Sequence, residues 1–315
     1  MNDSFLQKQG VSGALIESVQ KFRESYPVAG GLENRMSTPE IPFFGKEILE
    51  MAIAALLQGE NLLLTGEKAT GKNVLAETLA YVFGRPTYNV SFHVNTGSAE
   101  LIGTDTFQNQ EVTLRKGSIY RCAEEGGFGI LDEINMAKND AVSVLHAALD
   151  YRRIIDVPGY AGAVGRRGTE RDVEYFVVIF VFEKEHAGTA LVVAEELNEA
   201  LVSRFLVIDM PPLTEETLFY LMQSKFPDLK PAAREALAGL YLDLQKKAKQ
   251  AEITTRALDL RGLFGAIGTM RQGLSPYLAV QIGIVNKCFD LFEKEIVRDV
   301  VRTRIPEEWT PQDIF

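Results

Sequence analysis

Apolar residues along the first two thirds of the chain follow two alternating patterns. In "GKEILEMAIAALLQGE" the apolar positions from Ile48 to Leu56 recur at the spacing of one helical face. "NLLLTG", "FGILDE" and "YFVVIFVF" are instead short, continuous apolar runs, which are typical of strands covered on both sides. Helices that alternate with such strands predict an α/β fold, with a parallel sheet and helices on both of its faces.

The segments between these elements predict the rest of this region. "YNVSF" indicates a further strand, and "KNVLAETLAYVFG" a helix that ends at Gly84. "SAELIG" predicts a short helix capped by Ser98, and "NDAVSVLHAALD" predicts one helix capped by Asn139. "EVTLRKGSIY" predicts a hairpin or loop. From "GKEILEMAIAALLQGE" to "KNVLAETLAYVFG", the expected order of elements is helix, strand, loop, helix.

The pattern changes after "FLVIDMPPLTEE", beyond which we find no convincing strand. Four helical segments follow, and the last of them runs from "PYLAVQIG" to "EIVRDVVR", with Pro276 in its first turn. The Pro211-Pro212 pair marks the boundary. We therefore expect an N-terminal helix and linker (1–40), an α/β core (41–210) and a small all-α domain (211–315).

Composition and charge narrow the functional classes. The 315 residues are 46% hydrophobic and 24% charged, an ordinary globular balance, and no apolar run approaches the roughly 20 residues that span a bilayer. The N-terminus lacks a cationic-then-apolar signal pattern, so we expect a cytoplasmic protein. The net charge of -10 argues against a general affinity for nucleic acid. Two cysteines and three histidines are too scattered for a metal framework.

A candidate phosphate-binding loop, "GEKATGKN", lies directly after one predicted strand and directly before a helix, and it fits the pattern G-x-x-x-x-G-K. Glycines let backbone N–H groups turn toward phosphate oxygens, the helix N-terminus adds positive potential, and Lys72 reaches the outer phosphates. The context therefore predicts a nucleotide site. The residues assigned to it are Gly66, Glu67, Lys68, Ala69, Thr70, Gly71, Lys72, Asn73 and Val74.

The last position of this loop departs from the usual pattern. Asn73 stands where a Ser or Thr hydroxyl ordinarily ligates Mg²⁺. Magnesium takes oxygen ligands and keeps several waters, so the Asn73 carbonyl oxygen or a water could fill the position. The substitution weakens the metal site in principle without removing phosphate binding.

"FGILDE" supplies an acidic pair at the end of a strand. Asp132 would hold Mg²⁺, usually through its water shell, and Glu133 would orient and polarise the attacking water. An Asp-Glu dipeptide after a strand, with no other motif nearby, often only begins a turn. Downstream of a phosphate loop, it predicts a nucleotide hydrolase.

With these motifs in place, the chain resembles the AAA+ ATPases and, within them, the MoxR-like group that includes the CbbQ and NorQ activators. The resemblance covers roughly residues 40–300. It is carried by "GEKATGKNVLAETLA", "ELIGTDTF", "RKGSIYRCAEEGGFGILDEINMAKNDAVSVLHAALDYRR" and "AGTALVVAEELNEALVSRFLVIDMPPLTEE". It implies a doubly wound P-loop α/β core followed by a helical lid, with ATP and Mg²⁺ as cofactors.

The resemblance also implies assembly and partners. ATP in this family binds between neighbouring subunits of a ring, usually a hexamer, and the match places Arg204 at the arginine finger that reaches the next subunit's site. Arg256, in preference to Arg261, matches the sensor-2 arginine of the lid. MoxR-like proteins commonly act with partners that carry a von Willebrand factor A domain, which implies a chaperone-like, protein-remodelling role.

One segment departs from the family. Counting back from "AGT" places Glu183 where the sensor-1 strand commonly ends in Asn. A carboxylate there repels the γ phosphate unless it is protonated, bound to metal or turned away. The nearby stretches "GYAGAVGRRGTERD" and "TALVVAEELNEAL" also differ from the family in composition and length. We therefore expect nucleotide binding with weakened hydrolysis.

Three alternatives stay open. A nucleotide-gated oligomeric scaffold with little turnover is favoured by Asn73 and Glu183, a nucleic-acid-directed motor or restriction component is disfavoured by the acidic charge, and a monomeric kinase is disfavoured by Arg204 and the lid. "GTDTFQN" and "EVTLRKG" are candidates for lining the pore of a ring. The preference for ATP over GTP rests on the resemblance alone.

Overall fold

The computed structural model describes residues 3–108, 110–136, 139–150, 153–155, 157, 164–165, 175–183 and 199–315. These residues divide into two compact units. The first runs to Met210 without Glu67–Thr70, and the second comprises Glu67–Thr70 and Pro211–Phe315. The deviating stretches "GYAGAVGRRGTERD" and "TALVVAEELNEAL" lie largely outside the described residues.

Nine strands form three sheets in the described chain. They are β1 (Asn61–Gly66), β2 (Thr87–Ser91), β3 (Gly103–Gln108), β4 (Glu111–Lys116), β5 (Phe128–Asp132), β6 (Ile154–Ile155), β7 (Val164–Gly165), β8 (Val177–Glu183) and β9 (Phe205–Asp209). Five of them make one parallel sheet in the order β2-β5-β8-β1-β9. The pairs β3–β4 and β6–β7 are antiparallel ribbons.

The central strands of the parallel sheet are buried on both faces, as their continuous apolar sequences predict, whereas the edge strand β9 exposes Leu206 and Val207. All six residues of β1 are buried. Leu62 and Leu64 pack into one core, and Leu63 packs into the other, because successive side chains of a strand point to opposite faces. The predicted doubly wound α/β core is confirmed.

The helices of the first unit cover these two faces. They are α1 (Ser4–Lys8), α2 (Gly13–Ser25), α3 (Lys46–Leu57), α4 (Lys72–Phe83), α5 (Ser98–Leu101), α6 (Ser118–Glu125), α7 (Asn139–Ser143), α8 (His146–Leu149) and α9 (Glu199–Val202). Apolar residues of α1 to α4 share a core with one face of the sheet, and those of α5 to α9 share a core with the other. The N-terminal helices α1 and α2 are thus part of this unit.

Two helix starts differ from the sequence prediction. The cap of α5 is Gly97, whose backbone is extended (φ -118°, ψ 175°), so Ser98 is the first helical residue. The segment "NDAVSVLHAALD" forms two short helices, with Asn139 inside the first of them. They separate where Leu145 N bonds to the carbonyl of Val142, three residues back, and tightens the turn.

The segment "EVTLRKGSIY" forms both a hairpin strand and the start of a helix. Residues Glu111–Lys116 pair with β3 as predicted for a hairpin. The remaining "SIY" begins α6 at Ser118, after Gly117 as the cap. A Cβ on Gly117 would lie 2.5 Å from the backbone of Leu101, so the close approach of α5 fixes where the strand ends.

The second unit is helical, and Pro211–Phe315 contains no strand. Its α-helices are α10 (Glu215–Lys225), α11 (Pro231–Lys249), α12 (Leu260–Arg271), α13 (Pro276–Gly283), α14 (Leu291–Arg304) and α15 (Pro311–Ile314). They enclose their own apolar core. No helix among the described residues is long and apolar enough to cross a membrane.

The predicted continuous helix after Pro276 is wrong, because it divides into α13 and α14. Helix α13 ends at Gly283, which lies so close to α12 that a Cβ on Gly283 would be 2.5 Å from the carbonyl oxygen of Gly262. Asp290 then starts α14, since its Oδ1 accepts a hydrogen bond from Glu293 N (2.8 Å). A close helix crossing and a strong cap therefore override the continuous apolar pattern.

Candidate functional site

The glycine-rich loop lies at the carboxyl end of β1 and leads directly into α4. Three of its residues have positive φ: Gly66 (149°), Ala69 (63°) and Gly71 (88°). Thr70 Oγ1 donates to the Glu67 carbonyl (3.0 Å) and closes the turn between them. A loop of this shape at a helix N-terminus directs backbone N–H groups toward an anion.

Lys72, the first residue of α4, is held within this loop. Its side chain is buried, and Nζ donates to the Gly66 carbonyl (2.9 Å). Two neighbours in the loop differ from it, since Lys68 is exposed and Val74 is 38% exposed. The buried ammonium group therefore lies where the loop can share it with phosphate oxygens.

Asn73 connects the loop to the acidic pair at the end of β5. Its Nδ2 donates to Asp132 Oδ2 (2.6 Å), and Asp132 Oδ1 accepts from Glu133 N (2.9 Å). Both carboxylate oxygens of Asp132 are thus engaged. The Asn73 carboxamide thus supplies a hydrogen-bond donor at the position where a Ser or Thr hydroxyl could also donate. The contact joins two residues that are 59 positions apart in the chain.

The same contact leaves an oxygen that suits a hard cation. Because Nδ2 faces Asp132, Asn73 Oδ1 faces away from it, and this oxygen is buried with no hydrogen-bond partner among the residues that the structure describes. Carboxylate and amide oxygens are ligands that Mg²⁺ accepts. An unpartnered oxygen beside a carboxylate fits a Mg²⁺ site, so the departure from Ser or Thr is compatible with the metal.

Glu133 is the exposed residue of the acidic pair, and Asp132 is half-buried. Its backbone has φ 57°, an unusual value for a residue with a side chain, and such strain is often retained at functional positions. Ser91 Oγ donates to Glu133 Oε2 (3.4 Å). We did not identify Ser91 from the sequence. Only the pairing of β2 with β5, which aligns Ser91 with Asp132, brings it here.

Glu183 ends β8 beside the loop. In the register of β1 with β8, it is aligned with Gly66, the first residue of the loop. The end of β8 therefore belongs to the same edge of the sheet as Lys72 and the acidic pair.

Arg204, the predicted arginine of the first unit, is not at this edge of the sheet. Arg204 precedes β9, whose first residue pairs with Asn61 at the start of β1. Arg204 thus lies about 16 Å of strand away from Gly66, at roughly 3.3 Å per residue. Its guanidinium donates to the Ala200 carbonyl, and burial together with the charge of Arg204 lowers the pKa of His146.

Arg256 belongs to the second unit. It lies in a 3₁₀ turn (Thr255–Ala257) that precedes α12, and is not on the helix itself. Its guanidinium carbon is 5.2 Å from the centre of the Phe289 ring, a cation–π contact. Phe289 is 77% exposed, so this contact holds the arginine at the surface of its unit.

Comparisons with known proteins identify the family. The uncharacterized protein YojN of Bacillus subtilis is 31% identical over 296 residues, which cover 92% of this chain and 93% of that protein. The family model described as AAA domain (dynein-related subfamily) matches residues 61–205. The chain belongs to this AAA family. The matched residues include the loop, the acidic pair and Arg204, so the chain shares the P-loop nucleotide-binding architecture of the AAA ATPases.

A second sequence relative and a solved structure also align with most of this chain. The uncharacterized protein SERP0979 of Staphylococcus epidermidis is 30% identical over 261 residues, 81% of this chain and 94% of that protein. Among solved structures, a mutant of RuvB from Thermotoga maritima is 18% identical and covers 87% of this chain and 70% of its own, with a TM-score of 0.48.

Proposed function

We propose that this AAA chain binds and hydrolyses Mg²⁺-ATP between the subunits of a ring, most simply a hexamer, and uses the cycle to remodel a partner protein. The proposal is supported above all by the Asn73–Asp132 hydrogen bond, which joins the phosphate loop to the acidic pair. A chance glycine-rich turn would have no reason to meet an acidic strand end 59 positions away in this geometry.

Each side chain has a distinct part in the proposed reaction. The loop amides and Lys72 bind the phosphates, and Glu133 orients the attacking water and accepts its proton. Asn73 Oδ1 and Asp132 would hold Mg²⁺, which when bound neutralises phosphate charge. Arg256 would contact the γ phosphate from the lid. The MoxR-like resemblance supports a partner with a von Willebrand factor A domain.

We expect Arg204 to act on the site of a neighbouring subunit, because it lies far along the sheet from its own loop. Arg204→Ala should lower ATP turnover by roughly 10³-fold, the effect typical of an arginine finger, while leaving ATP binding intact. Wild-type turnover per subunit should rise with protein concentration. Steady-state phosphate release over a wide concentration range measures both effects.

A mixing experiment makes this test specific. Arg204→Ala and Glu133→Gln should each hydrolyse ATP slowly alone and regain turnover when mixed, because a mixed ring contains sites with an intact Glu133 and an intact neighbouring Arg204. Arg298→Ala, which removes a half-buried arginine of α14 that pairs with Glu295, is the matched control. Concentration-independent turnover in the wild type, or no recovery on mixing, would contradict a shared site.

A second candidate function, a nucleotide-gated scaffold with little turnover, is favoured by the position of Glu183 beside Gly66. If its charge opposes the γ phosphate, Glu183→Asn and Glu183→Gln should both raise turnover about ten-fold or more, equivalent to roughly 1.4 kcal/mol of barrier. Single-turnover phosphate release measures this effect. Unchanged rates in both variants would show that the charge of Glu183 does not limit hydrolysis.

A further inference from the structure

The N-terminal segment is connected to the turn before α3 through Gln9, the residue that follows α1. Gln9 Nε2 donates to the Phe43 carbonyl (2.8 Å), and Gln9 Oε1 accepts from Gly45 N (2.8 Å). Both ends of the carboxamide are therefore used on a single turn. Since a carboxamide donates from its nitrogen and accepts at its oxygen, Gln9 satisfies both backbone groups of the turn at once, and an apolar side chain of the same length would satisfy neither.

The turn that Gln9 holds carries the buried ring of Phe43, which lies between two glycines. A Cβ on Gly45 would be 3.1 Å from Cε1 of the ring, and a Cβ on Gly71 would be 3.3 Å from Cε2. Phe43 N also donates to Thr78 Oγ1 of α4 (2.9 Å). The ring is thus fixed from one side by the Gln9 turn and packed on the other side against the phosphate loop.

Gly71 is the position at which the phosphate loop becomes a helix. It is the N-cap of α4, has φ 88°, and accepts a hydrogen bond from Leu75 N (2.8 Å). Lys72 follows it directly. A shift of the Phe43 ring therefore changes the space beside the residue that sets the direction of the first N–H groups of α4 and of the Lys72 side chain.

We propose that Gln9 is a positioning residue for nucleotide binding, which acts through the Phe43 ring on Gly71. Gln9 lies outside residues 61–205, the part matched by the AAA family model, so the nucleotide site of this chain includes a segment outside that domain. The inference rests on the proposed function, since it concerns the same phosphate loop.

The first test compares two variants of the full chain, each of which replaces one glutamine of the N-terminal helical segment: Gln9 after α1, or Gln20 in α2. Gln9→Met keeps the length of the side chain and removes both bonds to the turn. Gln20→Met is the matched control, because it removes a hydrogen bond from Nε2 to Asp3 Oδ2 (3.1 Å) that does not involve the Phe43 turn. Binding is measured by titration with a fluorescent analogue of ADP in the presence of Mg²⁺, at a temperature well below the melting temperature of every variant. Gln9→Met should bind about five-fold more weakly than the wild type, which corresponds to the loss of about one net hydrogen bond. Gln20→Met should bind as the wild type does.

A double-mutant cycle separates positioning from a general loss of stability. If Gln9 acts through the ring, Phe43→Leu should weaken binding in the wild-type background and have little further effect in the Gln9→Met background. Independent, additive losses would overturn the proposed relay. Equal losses in Gln9→Met and Gln20→Met, in step with their melting temperatures, would overturn it as well.

The outcomes also distinguish this inference from the proposed function. If the wild-type chain binds no nucleotide, the proposed function fails, and the role of Gln9 fails with it. If the wild-type chain binds nucleotide and Gln9→Met binds it equally well, the nucleotide site stands and only the positioning role is wrong.

Discussion

Replacing Lys72 with alanine is expected to weaken nucleotide binding by roughly 100-fold or more. Charge-assisted hydrogen bonds contribute about 1.5–3 kcal/mol each, and the ammonium group can donate more than one of them to phosphate oxygens. Lys72 is only 7% exposed, and its Nζ already bonds to the Gly66 carbonyl, so water cannot readily take its place. Equilibrium titration with a fluorescent ATP analogue measures the effect.

The control for Lys72 removes the same charge elsewhere in the first unit. Lys21 is an exposed residue of α2, paired with Glu17 at a spacing of four residues, and Lys21→Ala should bind nucleotide as the wild type does. Thermal melting of both variants shows whether the fold survives. Wild-type affinity in a folded Lys72→Ala variant would contradict the assignment of the phosphate loop.

Replacing Glu133 with glutamine is expected to lower ATP hydrolysis by roughly 100-fold or more while nucleotide binding is retained, because general base catalysis contributes about 10²–10⁴-fold. Glutamine keeps the size of the side chain and loses the ability to accept the proton of the attacking water. Its hydrogen bond from Ser91 Oγ can persist, since the amide oxygen is also an acceptor. Phosphate release at saturating ATP, together with nucleotide titration, measures the two effects separately.

Glu60→Gln is the matched control for Glu133→Gln. Glu60 is exposed and directly precedes β1, at the opposite end of this strand from the phosphate loop, so its neutralisation should leave turnover unchanged. If Glu133→Gln hydrolyses ATP at the wild-type rate, the attacking water is oriented by another group. Loss of both binding and turnover would instead indicate a structural effect, because Glu133 has a backbone conformation that few side chains adopt.

The phosphate loop could be predicted from the sequence because its chemistry is local. Strand, glycines, lysine and helix follow one another within Asn61–Phe83, and each is specified by neighbours in the chain. The acidic pair is local for the same reason, since Asp132 and Glu133 end an apolar strand. The caps at Ser98 and Asn139 and the continuous helices after Asn139 and Pro276 were predicted wrongly, because a glycine cap, a tight turn at Leu145 and a close helix crossing at Gly283 are set by the tertiary structure.

By itself, the sequence thus determined the α/β class, the helical C-terminal region and the residue types of a nucleotide site, because strand burial, helical spacing and a phosphate loop are all written over short stretches. The tertiary structure decided which of those residues meet. The contacts of Asn73 with Asp132, Ser91 with Glu133 and Gln9 with the Phe43 turn join residues that are 59, 42 and 34 or 36 positions apart. They depend on the order and register of the strands and on how the N-terminal helices pack, and no local pattern specifies either.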